Sequence, residues 1–213
     1  MNLLRFTAVL LTLLCSPAGA RDARSANAVL LDATSPFEDM TESALAKNDA
    51  SITANLASAE KHTTALSDVL PTPAAALFRS SMETIRKAAA AGDHQALAMN
   101  AVEVFRLLIE NTDATSLTVP REVSLLDYAG FKLHVLAAAP QPDWKAMRQL
   151  TNDAATWWSA IRAKISGHAL RDAFDSTVRG LQAAGKAEHL PMLDFAAQMD
   201  LDLVDLLEAS FEK

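Results

Sequence analysis

Cysteine is almost absent. The single thiol, Cys15, lies in the N-terminal apolar stretch. One cysteine allows no internal disulfide, no thiolate metal cage and no c-type haem attachment, which requires Cys-x-x-Cys-His. Long apolar runs are also missing. The longest, Phe6 to Cys15, spans about half of the roughly 20 residues that cross a bilayer as a helix. No stretch alternates apolar and polar residues with period two, so the strand signal is absent. Positive charge is in deficit, with 19 Lys and Arg against 26 Asp and Glu. A net charge of −7 with no basic patch repels nucleic-acid phosphates and anionic lipid headgroups alike. Neither nucleic acid nor a membrane span is therefore expected.

Catalytic signatures are missing as well. The chain has no Gly-x-Ser-x-Gly, no His-Glu-x-x-His and no Gly-x-Gly-x-x-Gly. Gly180 to Lys186 copies the spacing of a phosphate loop, but Ala187 stands where a magnesium-binding hydroxyl is needed. Its flanks are helical, and Glu188 and Asp194 bring negative charge to where phosphates would lie.

What is present begins with an address. Residues 1–20 read as a secretory signal: Arg5 in a short n-region, the apolar run, Pro17, then the small residues Ala18-Gly19-Ala20. This predicts a periplasmic or secreted protein that begins at Arg21. Lipid anchoring at Cys15 is disfavoured, because Leu14 occupies the position where a small residue is expected. Residues 21–34 are expected to be a flexible lead-in, and 35–213 a single helical domain.

Half of the residues are hydrophobic, and Ala and Leu dominate among them, which favours helix over sheet. Ser35-Pro36-Phe37-Glu38 reads as a capping box, with Ser35 as N-cap and Glu38 reaching back. Thr72-Pro73 opens another helix, Gly92-Asp93 stops one and starts the next, and Pro140 to Asp143 does the same. Gly167 and Gly185 mark further breaks, and Asn48-Asp49 a weak one. The expectation is an all-α domain of antiparallel helical hairpins, seven or eight helices packed as an up-and-down bundle. Breaks near Asn48, Gly92, Pro140 and Gly185 recur about every 45 residues, the signature of a helical-hairpin repeat. Val123 to Ala139 is apolar nearly all round and should be the core helix.

Three sets of residues carry chemical possibilities. Up-and-down packing would bring His94, Met99, His189 and Met192 to one end, and imidazole with thioether suits copper. Asp127 and Tyr128 sit in the most apolar helix. A buried carboxylate needs a partner, with Arg106 or Arg162 as candidates, or a ligand in their place. Asp200, Asp202, Asp205 and Glu208 crowd the last helix and read as a solvated acidic face. Glu103, Arg106 and Glu110 read as a surface ion ladder. Of the adjacent Trp157 and Trp158, one should be core and the other at a boundary. The functional expectation is an exported, non-catalytic binding or accessory protein of the bacterial envelope, acting on an envelope protein or a small ligand. The alternatives are a periplasmic copper- or iron-handling protein, and an enzyme with its site near Asp127 and Tyr128.

Overall fold

The computed structural model describes residues 18–212, with side chains from Ser25 onward. Cys15 and most of the expected signal lie outside these residues. The helices are α1 (Ala18–Asp32), α2 (Ser35–Leu45), α3 (Asp49–Val69), α4 (Thr72–Ala91), α5 (His94–Glu110), α6 (Arg121–Ala137), α7 (Trp144–Ile161), α8 (His168–Ala187) and α9 (Leu190–Phe211). Two single 3-10 turns, Ala114–Ser116 and Arg162–Lys164, complete the described structure. The chain is thus all-α and bundle-like, as its periodicity predicts. Among the described residues no helix is long and apolar enough to cross a membrane.

The helices form two quartets. In the first, α2 packs on α3, α3 on α4 and α4 on α5, and α5 closes the ring on α2. In the second, α6, α7, α8 and α9 repeat this order, and α9 closes on α6. The quartets join where α5 and α2 meet α6. The repeating unit is therefore four helices rather than one hairpin. Buried positions about 96 residues apart correspond: Phe78 with Phe174, Ile85 with Leu181, Leu97 with Leu193, Ala101 with Ala197. The leading helices match with a shorter offset, pairing Phe37 with Leu126, Met40 with Ala129 and Ala44 with Leu133, again all buried. The breaks at Asn48 and Gly92 belong to one quartet and those near Pro140 and after Ala187 to the other.

Local chemistry explains most boundaries. Gly92 takes φ 65° to end α4, and Asp93 accepts from the Ala96 amide to start α5. At the matching turn Glu188 takes φ 53°, and His189 accepts from the Met192 amide to start α9. Gly185 is not a break. It lies buried in the last turn of α8, where a Cβ would meet the Thr151 side chain. Asn48 and Asp143 cap α3 and α7 through their side chains. The capping box at Ser35 does not form. Ser35 is already helical, Thr34 precedes it without a side-chain cap, and its hydroxyl donates back to the Leu31 carbonyl. Glu38 is consequently free of the backbone and turns elsewhere.

The segment 21–34 also differs from expectation, since it is helical to Asp32. Asn27 and Leu30 of α1 are buried, as is Ala33 in the turn that follows it. The Asn27 side chain accepts from the Asp113 amide at 2.7 Å and donates to the Asp113 carbonyl and to Ser116 Oγ, each at 2.9 Å. Leu30 and Ala33 gain apolar burial, which offsets the entropy of ordering the segment. The central helix is α6, as its apolar girth predicts, with Val123, Leu126, Ala129, Leu133 and Val135 all inaccessible to solvent.

Candidate functional site: an acidic cleft where the quartets meet

Gly130 sets the geometry. A Cβ there would fall on the Leu201 side chain and against the Ala197 carbonyl, so its absence lets α6 and α9 approach closely. Beside this contact, α2, α6 and α9 enclose a cleft of about 540 Å³. From α2 it is lined by Glu38, Asp39, Glu42 and Leu45, with Ala46 just beyond. Asp127, Phe131 and His134 come from α6, and Gln198, Leu201, Asp202 and Asp205 from α9. No lysine or arginine lines it. Its one basic group, His134, is held by Asp194 at 2.7 Å.

Glu38 and Asp127 form the floor. They occupy equivalent positions of the two leading helices, each following a buried apolar residue, Phe37 and Leu126. Their carboxyls lie side by side, within reach of one shared proton. Burial pushes Glu38 up to about 7, helped by the negative charge of Glu208 and Asp39. Burial likewise raises Asp127 well above the carboxylate range, with Glu38, Glu208, Asp200 and Asp205 adding to it. Glu208 is raised by its own burial and by Asp205.

Asp200 stands behind Asp127 in the α6-facing stripe of α9. It is fully inaccessible, and neither carboxylate oxygen has a hydrogen-bond partner. Burial alone raises it far above the ordinary value. In the first quartet the same slot holds Val104, also fully buried. The acidic face expected on α9 is therefore only partly solvated, since its Asp200 lies in the core. A carboxyl so placed stays neutral, because an unpaired buried charge costs several kcal/mol.

Asp127 does not find the arginine expected of it. Arg106 pairs with Glu103 at 3.1 Å and lies 5.5 Å over the Tyr128 ring. Arg162 is bidentate on Asp175, which also accepts from Trp158 Nε1 and is held down at about 2 chiefly by that arginine. Tyr128 donates to Glu103 at 3.1 Å, and Lys132 pairs with the same carboxylate at 2.7 Å. Asp127 and Tyr128 thus face different neighbours, Asp127 the cleft and Tyr128 the α5 seam. Glu103 and Arg106 are tied into that seam, so the expected surface ladder is half-buried at its N-terminal end. Trp158 is core, while Trp157 is half-buried edge-on to Tyr128, the division expected of the pair.

The His/Met set is dispersed. His94 pairs with Asp49 at 2.8 Å, and Met99 sits against the Lys132 ammonium. His189 caps α9, and Met192 is 43 % exposed. Among the described residues no hydrogen bond or ion pair links the two histidines, and no group of three or more His, Cys, Asp or Glu side chains is arranged to hold a metal ion.

Two residues, Glu38 in the cleft and Asp200 in the core behind it, escape a sequence reading. Glu38 passes for a capping residue and Asp200 for a surface acid. Aligning Phe37-Glu38 with Leu126-Asp127 and Val104 with Asp200 would have exposed both, but that register becomes visible only once the unit is four helices. No family model matches the sequence, and neither a curated protein nor a solved structure matches it.

Proposed function

We propose that this is an exported, non-catalytic binding or accessory protein whose acidic cleft takes a cationic ligand. The Glu38–Asp127 pair carries the reading. Two carboxyls with no basic partner are set side by side at the floor of a concave, solvent-reachable site. A folded protein keeps such a pair only at a cost in stability, and a cation relieves that cost directly. The cleft volume suits a small molecule or an inserted basic side chain. Leu45, Phe131 and Leu201 offer apolar wall for methylene groups, so an alkylammonium ligand is favoured. The export signal supports an envelope location, and mass spectrometry of the purified protein should find Arg21 as the first residue.

A metal-handling role is the second reading, resting on the carboxylate-rich lining of the cleft and not on a preformed ligand set, since no three of its side chains are grouped to hold an ion. Such donors suit calcium, manganese or iron better than copper. Calorimetric titration with spermidine, Mn²⁺ and Ca²⁺ at pH 8 tests both. Spermidine binding that disappears in the Glu38→Gln/Asp127→Asn variant is the expected result. Binding of the metals alone would transfer the site to the second reading. Failure of all three to bind tighter than about 1 mM (about −4 kcal/mol) would refute the cleft as a cation site.

A further inference from the structure

A second cavity, of about 390 Å³, opens where α1, the connection from α5 to α6, the start of α6 and the end of α9 converge. It shares no lining residue with the acidic cleft. Asn27 of α1 fixes one wall, by holding the connection at Asp113 and Ser116. A pocket whose walls are set before a ligand arrives loses less freedom on binding. Leu31, Ile109, Leu117 and Val119 give it an apolar side.

Unlike the cleft, this cavity carries charge of both signs. Arg121, the first residue of α6, lines it, as do Glu208 in the last turn of α9 and Glu212 at the C-cap. Arg121 donates to the Glu110 carbonyl at 3.0 Å. Among the described residues no ion pair joins Arg121 to a carboxylate, or Glu208 or Glu212 to a cation. Burial, Asp205 and Glu212 push the Glu208 carboxyl up, and no cation offsets them. The start of α6 also lacks a side-chain cap, so the partial positive charge of its first amides adds to that of Arg121. A guanidinium on one wall and two carboxylates on another, left unjoined, match a ligand that bears both charges. A pure anion would leave the carboxylates unanswered, and a pure cation the guanidinium. The volume is that of a small-molecule site, and the apolar side suits a short hydrocarbon side chain.

We infer that this cavity binds a small apolar zwitterion, an amino acid or a dipeptide, with its carboxylate on Arg121, its ammonium on Glu208 and Glu212, and its side chain against Leu31 and Val119. The site is separate from the acidic cleft and does not depend on the ligand bound there.

Calorimetry on the full mature chain at neutral pH tests this with leucine and leucyl-leucine, which decide the length. Each is compared with its amide, which keeps only the ammonium, and with its N-acetyl form, which keeps only the carboxylate. The zwitterion should bind about tenfold or more tightly than either blocked form, the worth of one charge-assisted contact. Arg121→Gln should erase the advantage over the amide and keep that over the acetyl form. Glu208→Gln/Glu212→Gln should do the reverse, and it removes an uncompensated buried charge, so it stays informative if Arg121→Gln does not fold. A merely structural effect would weaken all three forms together. Binding should persist in the Glu38→Gln/Asp127→Asn variant, and its loss there would move the ligand to the cleft. That loss would overturn the inference, as would blocked forms that bind as well as the zwitterion, or failure of both lengths to bind tighter than about 1 mM. Uniform weakening of all three forms by the glutamine variants would overturn it too.

Discussion

Asp200 shows how much one residue changes when its surroundings stay the same. Its slot is fully buried, and the first quartet fills it with Val104. Neither carboxyl oxygen has a partner, so desolvation is uncompensated. Asp200→Val should therefore stabilise the fold by about 1–3 kcal/mol at pH 8, the usual penalty for a buried unsatisfied polar group. Chemical denaturation of the two proteins measures this, and a loss of stability would show that Asp200 has a partner in solution. Leu133 is the opposite case, an ordinary core residue at 0 % exposure. Leu133→Ala should cost about 2–5 kcal/mol, and a loss near zero would misplace the core.

At the scale of elements, α6 was legible and α2 only partly so. A helix apolar on every side must be central, and α6 touches α2, α5, α7 and α9. Capping chemistry located the starts of α3, α5 and α7, because Asn and Asp satisfy orphan amides wherever they fall. It failed at Ser35, where the chain reaches α2 almost straight from α1 and Thr34 itself is in the right-handed helical region. With no cap to make, Glu38 is available to the cleft. It failed again at Gly185, where a helical glycine serves close packing while Glu188 supplies the left-handed turn. The acidic face of α9 was read by composition, which cannot tell the buried Asp200 from the exposed Asp202 two residues along the same acidic run. Helical phase relative to α6 decides that, and phase comes from packing.

For the whole molecule, the seam between the quartets sets the response to pH. Burial holds the Glu38 carboxyl up at about 7 in the fold, against an ordinary value near 4.5 in the unfolded chain. Between these values the unfolded chain holds fewer protons, so stability falls as pH rises. The penalty is absent below about 4.5 and complete above about 7. Asp127 and Asp200, also raised, act in the same direction over a wider range. Asp175 acts oppositely, because its pairing with Arg162 is lost as pH falls from 3.8 toward 2. The melting temperature should accordingly peak in mild acid and decline toward pH 8. Glu38→Gln should flatten the decline, and thermal melts across pH 4–9 would show it. A cation in the cleft should raise the melting temperature more at pH 8 than at pH 5.

The contacts of Asn27 have a consequence for the link between the quartets. Residues 111–120 form the only long connection between α5 and α6, and the Asn27 side chain holds its backbone at Asp113 from both sides. A protease cuts most readily where the chain is exposed and not tied down, and this clasp ties the segment down. Native α1 therefore shields the one segment whose cleavage would part the two quartets. Asn27→Ala should open it, so that brief trypsin treatment cuts after Arg121 and yields two fragments, while the wild-type protein stays whole under the same exposure.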